Sequence, residues 1–486
     1  MFERDDLTAK QNDYAVFLPA LSGFYATFVG KQRAGNYVDP ARLPRDFEHG
    51  VEGLNWLNPD QGYFTYKWSL YSAGHANLDV NKQDPTEDMI RNRDRNFSWV
   101  LGDSGGFQIG KGVWEGDWKD PNCPKAQKKR EQVLSWMDSY MNYGMILDIP
   151  AWVSRSPRGQ EATGITTYQE AVNGTFINND YFIRNRNGNC KFLNVLQGEN
   201  HTEAEDWYQQ MKKYCDPKQY PTNHFNGWAM GGQNMCDIHL VLKRIVALRF
   251  DGLLEKGVHD WMHFLGTSKL EWATLLTDIQ RAVRKYHNEN FTISFDCASP
   301  FLATANGQIY YEVDTTDLTK WSYRMSPGVD NKKYATDSRR YRDAVIQDGY
   351  WKDFINSPII QRTEIKDVCI YAPGDLNKIG KEGKTSWDSF SYAIQMGHNV
   401  WTHIYAVQEA NRQYDLGKKP SMLLNTEGDL KFFRDLVDDI FSTSDRSKAE
   451  AIIEDHSRYW MSIIGTRGNT GKKTLNASTN FKKFFE

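Results

Sequence analysis

From residue 97 onward the chain repeats one pattern: a short apolar run, a polar or glycine residue at its end, then a stretch with helical spacing. The runs cover 97–101, 143–148, 191–198, 225–232, 261–266 and 291–296. Apolar segments of that length, bounded by turn residues, read as buried strands. Thr202-Glu-Ala-Glu205 and Ser268-Lys-Leu-Glu271 between them have the spacing of capping boxes, in which a hydroxyl and a carboxylate satisfy a helix's first free amides. After the second, Trp272, Leu275, Leu276, Ile279, Ala282 and Val283 fall on one helical face. Strands alternating with helices imply parallel pairing and right-handed crossovers. Six such units favour an α/β fold of the (β/α)8 barrel type over an open sheet. Residues 1–95 are less legible, with 14–21 and 63–71 as strand candidates. A long helical pattern over 386–414 can close the barrel. The expected organisation is a barrel over 1–415 with a polar, basic insertion near 312–368. A C-terminal extension over 416–486 adds helices near 428–441 and 448–464 and a basic tail.

In such barrels the chemistry sits where the strands end. The residues at those ends are Asp103, Asp148, Gln197, Gly231, Gly232, Gly266 and Asp296. Three carboxylates, an amide and backbone free to approach a ligand make one plausible pocket. The first of these ends reads Leu101-Gly-Asp-Ser-Gly-Gly-Phe-Gln108. Gly-Asp-Ser-Gly-Gly also surrounds the nucleophile of chymotrypsin-like proteases, which would make Ser104 catalytic with His49 or His75. The proline usual in those proteases is Phe107 here, most of the chain follows Ser104, and the strand–helix rhythm is wrong for that fold.

Composition narrows the class further. A chain of 486 residues, 40% hydrophobic and 14% aromatic, suits a well-buried globular enzyme. No run reaches the length of a membrane helix, and the start lacks the order of a signal peptide. Six scattered cysteines without paired spacing favour reduced thiols and a cytoplasmic setting. A net charge of −3 does not advertise a nucleic-acid partner, but basic residues cluster at 125–130, 332–342 and in the tail. Solvated faces are the ordinary explanation of such clusters.

Asp103-Ser-Gly-Gly-Phe-Gln108, taken as a unit, resembles the tRNA-guanine transglycosylase family and its DNA-modifying relatives. Leu196-Gln197-Gly198 resembles that family's Val-Gln-Gly, and Ala229-Met-Gly-Gly232 its Ala-Ile-Gly-Gly. Phe264-Leu-Gly266 is similar to a Tyr-Leu-Met-Gly segment that walls the pocket. Phe295-Asp296-Cys297, followed by Pro300 and Asn306-Gly307-Gln308, resembles the segment of the nucleophilic aspartate. The resemblance covers roughly 95–310 and, more faintly, 385–415. It implies Asp296 as nucleophile and Asp103 as general acid and base. It further implies a base site built from Ser104, Gly105, Phe107, Asp148, Gln197, Gly231, Gly232, Leu265 and Gly266. Breaking and remaking a C–N glycosidic bond through an oxocarbenium-like state suits two carboxylates in different environments.

One departure bears on the substrate. The tRNA enzymes carry a zinc site of three cysteines and a histidine, whereas the matching stretch here keeps Cys369, with His398 in a segment that still resembles theirs. Two ligands do not close a tetrahedral site, so neither zinc nor another cofactor is expected. The resemblance therefore points to the divergent, often phage-type branch that inserts 7-deazaguanines (preQ0/preQ1-type) into DNA, with the host cytoplasm as its setting. The same exchange on tRNA, a nucleoside glycosidase and a catalytically dead binding barrel are the alternatives. Lys332, Lys333, Arg339, Arg340 and Arg342 are the expected grip on DNA phosphates. Trp321, Tyr323, Tyr334 and Tyr341 are the expected rest for an extruded base.

Overall fold

The computed structural model describes residues 2–35, 38–316, 321–343, 354–370, 387–424 and 432–463. Eight parallel strands form one sheet. They are β1 (Val16–Pro19), β2 (Trp68–Ser72), β3 (Trp99–Asp103), β4 (Tyr143–Met145), β5 (Lys191–Leu196), β6 (Gly227–Met230), β7 (Trp261–Phe264) and β8 (Thr292–Cys297). Each pairs with the next from β2 to β8, and β8 pairs with β1. A parallel bridge from Ala20 to Leu70 brings β1 back beside β2 and all but closes the ring. This is an α/β barrel of the (β/α)8 type.

The helices that cross between strands are α1 (Gly23–Ala34), α2 (Pro124–Tyr140), α3 (Tyr168–Asn185), α4 (His201–Met211), α5 (Ile238–Phe250) and α6 (Leu270–Tyr286). The long α7 (Ser389–Asp415) follows β8. Only a short helix, Asp88–Arg91, stands between β2 and β3. On α6 the six apolar positions read from the sequence are all buried, which fixes that helix on the barrel.

Both expected capping boxes are corrected. The side chain that caps α4 is Asn200, which accepts the Glu203 N–H at 2.9 Å, and Thr202 lies inside the helix. No side chain caps α6; Glu271 instead accepts the Trp321 N–H at 3.0 Å and ties down the insertion. A capping box does form at α3, from Thr167 and Glu170.

The insertion opens with an antiparallel hairpin of β9 (Gln308–Asp314) and β10 (Ser322–Pro327). Asn399 on α7 locks it by accepting the Tyr310 N–H at 2.9 Å and donating to Thr304 Oγ1 at 2.9 Å. Beyond α7, helix α8 (Phe433–Ser442) packs on α6, while α9 (Arg446–Asp455) and α10 (Ser457–Ser462) pack on α5. The expected helix over 448–464 is thus two, split at His456. Arg434 on α8 holds the buried Asp278 of α6 at 2.7 Å, and the apolar side chains of these helices continue the barrel's core. The start of the helix expected from 428, and the basic tail with its lysines, lie outside the described residues. Among the described residues, no helix is long and apolar enough to cross a membrane.

Inside the ring the alternation of strand side chains stacks them in layers. At the lower end Trp99 of β3 and Trp261 of β7 stack with centroids 4.1 Å apart, and Tyr143 of β4 tilts against both. One layer higher, His263 pairs in register with Ser294. The layer above carries Asp103 and Asp296 at the strand ends.

Candidate active site

A cavity of about 310 Å³ opens at the strands' C-terminal ends. That is the small end of the ~300–1,000 Å³ range of ligand pockets, a size for one heterocycle more than for a polymer. Asp103, Ser104, Phe107, Asp148, Gln197, Gly231, Gly232, Leu265 and Gly266 all line it. Met145, Val195 and Met235 supply apolar wall, and Phe107 and Trp152 meet at a steep tilt with ring centroids 6.3 Å apart. Two expected residues stand just behind the lining. Gly105 takes a left-handed φ of 84°, which turns the chain off β3 and aims its N–H at Asp103 Oδ1, 3.4 Å away. Asp296 is joined to the lining through Gly266, whose N–H donates to Asp296 Oδ1 at 3.0 Å.

Each carboxylate has its own surroundings. Asp103 is half-buried at the end of β3, and its removal from water raises its pKa above the ordinary value; the Ser72 hydroxyl at 2.7 Å and the Gly105 N–H oppose the rise, and the nearby Asp296 charge adds to it. Asp148 is pushed up to about 7, first by burial and further by the Asp103 charge, against the Gln197 amide that donates to its Oδ2 at 2.8 Å. Burial penalises the charged form, so both groups can hold a proton at pH values where a surface aspartate holds none.

The loop carrying Asp148 is held from behind. The strand β4 stops at Met145, and the Leu147 carbonyl accepts from Asn178 of α3 at 2.7 Å. Asn178 in turn accepts from the buried Arg130 of α2 at 2.6 Å. On the opposite wall Gly232 has a φ of 54°, and a β-carbon there would stand 2.4 Å from the Gly198 carbonyl, so backbone itself forms the surface.

His263 was not anticipated. It is fully buried, with Nε2 3.0 Å from Asp296 Oδ1 and Nδ1 2.8 Å from Ser294 Oγ. A lone histidine in an apolar strand reads as core from sequence. The signal available was alternation, since His263 shares the inward face with Trp261 and sits opposite Ser294, two residues before Asp296.

The protease alternative finds no support in the geometry. His49 lines a separate surface pocket, His75 leans on Gly23, and neither is hydrogen-bonded to Ser104.

The polymer-binding expectations fare differently. Arg339 pairs with Asp337 at 2.6 Å, Arg340 with Asp46 at 2.5 Å and Arg342 with Asp343 at 3.2 Å. Lys332 and Lys333 are exposed. Trp321, Tyr334 and Tyr341 are buried, and Tyr323 packs on His403 and Tyr310, so these rings are core of the insertion and not a platform for a base. Closer to the pocket, Lys111 lies over the Phe107 ring at 5.4 Å.

His398 has both ring nitrogens engaged, Nδ1 with Ser357 Oγ at 2.8 Å and Nε2 with the Tyr310 carbonyl at 2.7 Å, and burial lowers its pKa to about 4. It is a neutral bracket between α7 and the insertion. Cys369 is buried with its thiol 3.5 Å from the Val329 carbonyl.

A scan against protein-family models gives no match, and a search of curated proteins finds no similar sequence.

Proposed function

We propose that the chain is a base-exchange transglycosylase that replaces guanine in DNA with a 7-deazaguanine through a glycosyl-aspartate intermediate. The observation that carries this reading is a pair of carboxylates, Asp103 and Asp148, lining one small cavity with a third, Asp296, just behind it, Asp103 being electrostatically coupled to both others.

Asp296 attacks C1′ of the nucleotide and the C1′–N9 bond breaks, its electron pair leaving on guanine N9. Asp103, which burial favours in the protonated form, gives that nitrogen its proton. The sugar is then an ester of Asp296. An incoming base returns a proton to Asp103 as its own nitrogen attacks C1′, and the ester bond to Asp296 breaks. Atoms and charge balance over the cycle. Asp148 and Gln197 offer an acceptor and an amide to the polar edge of either base, while Phe107 and Trp152 supply aromatic surface for its face.

DNA is favoured over tRNA because His398, the remaining counterpart of the zinc histidine, is committed to Ser357 and Tyr310. The experiment is incubation with labelled guanine and either duplex DNA or tRNA. Label entering DNA supports the proposal, label entering tRNA alone transfers it to the tRNA reaction, and label in neither overturns it.

A further inference from the structure

We infer that His263 is a positioning residue for Asp296, fixing which carboxylate oxygen attacks and helping that carboxylate to leave again. The inference rests on the transglycosylase reading of the site. Its geometrical part stands on four contacts. Asp296 Oδ1 accepts the Gly266 N–H at 3.0 Å and lies 3.0 Å from His263 Nε2. On the other side of the ring, Nδ1 is 2.8 Å from Ser294 Oγ, which also accepts the Trp261 Nε1–H at 2.8 Å.

Those partners decide the proton positions. An ionised carboxylate only accepts, so Nε2 must carry hydrogen to bond Asp296. Trp261 only donates, which leaves the Ser294 hydroxyl free to point its own hydrogen at Nδ1. The chain of donors therefore runs Trp261, Ser294, His263, Asp296, and it selects the Nε2–H tautomer. Every member sits on β7 or β8, so rigid strands hold the relay.

Two donors on Oδ1 leave Oδ2 as the oxygen presented to the sugar. When Oδ2 bonds C1′, Oδ1 becomes the ester carbonyl and its negative charge is lost. When the second base attacks and the C1′–Oδ2 bond breaks, the charge returns to the carboxylate, where the His263 and Gly266 N–H groups receive it. Donors aimed at a charge that develops during a step lower that step's barrier. His263 thus keeps the covalent intermediate from becoming a trap.

The test compares His263→Leu, which removes the donor, with His263→Gln, whose amide nitrogen can reach the place of Nε2. For His263→Leu we expect kcat to fall on the order of 100-fold with KM for the base within about 3-fold, and covalent protein–DNA adduct to accumulate on denaturing gels. His263→Gln should recover to within about 10-fold of the native rate. Full activity of a folded His263→Leu, or equal losses in both variants, would overturn the inference. Nitrogen-15 spectra of histidine-labelled native protein, with His263 assigned by the Gln variant, should show the Nε2–H form. The Nδ1–H form would overturn the inference even if no polymer is ever exchanged, whereas lack of exchange with the Nε2–H form present counts against the reaction alone.

Discussion

The two ends of the barrel are built from the same strands and behave as opposites. At the lower end β3, β4 and β7 contribute Trp99, Tyr143 and Trp261, aromatic rings that fill the ring's mouth. At the upper end β3 and β8 contribute Asp103 and Asp296, and the segment after β4 contributes Asp148. The lower end buries apolar area and stabilises the fold. The upper end buries Asp148 and half-buries Asp103, and the raised pKa of each marks a cost in stability. A strand needs only five residues, from Trp99 to Asp103, to pass from one regime to the other. The layer between them, His263 and Ser294, belongs to both, since it is anchored below by Trp261 and reaches Asp296 above.

That contrast predicts separable effects. Asp296→Asn should lower exchange on the order of 10,000-fold or more, because an amide cannot form the glycosyl ester, while thermal stability stays at or above the native value. Steady-state rates and a melting curve on one sample check both halves.

At the other end, Trp99→Ala should cost roughly 3 kcal/mol of stability by opening a void beside Trp261, yet leave the rate per folded molecule within about 2-fold. Denaturant titration alongside the exchange assay would expose any leakage from one end to the other.

Asp148→Asn probes the cost of the upper end. In the unfolded chain this carboxyl titrates near 3.8, and in the folded protein at about 7. Between those values the folded state holds a proton that the unfolded state has released, so native stability falls as pH rises from about 4 to 7 and stays reduced above. The asparagine variant should match the native protein near pH 3 and exceed it by on the order of 2–4 kcal/mol at pH 8. Melting curves across pH measure the difference. Base affinity of the native protein should rise with pH through about 7 as Asp148 becomes the acceptor the base needs, a trend the variant should lack.

The smallest effect is expected in the insertion. Arg339, Arg340 and Arg342 are already paired with Asp337, Asp46 and Asp343, so replacing all three with Ala should change DNA affinity less than about 3-fold and barely alter its salt slope. Filter binding at several salt concentrations decides it.

Much of this was legible in the chain. Strands β3 to β8 announced themselves because each buried run ends in a polar or glycine residue that serves the pocket. The N-terminal strands β1 and β2 were visible only as candidates, since no helical pattern as clear as that of α6 follows them. The capping boxes misled because the spacing of Thr202 and Ser268 says nothing about where a helix begins; Asn200 starts α4 instead. The insertion's ion pairs were hidden for a related reason: a run of arginines does not display a partner such as Asp46, far away in sequence. His263 stayed hidden because its role depends on register between β7 and β8, which only the folded sheet fixes.

The central claim is that the upper end carries a covalent sugar on Asp296, and peptide mapping tests it most directly. Native protein incubated with guanine-containing DNA, quenched with acid and digested, should yield a glycosylated peptide whose added mass localises to Asp296 and is missing from Asp296→Asn. Base exchange that proceeds while Asp296 stays unmodified, or an adduct on any other side chain, would contradict the account.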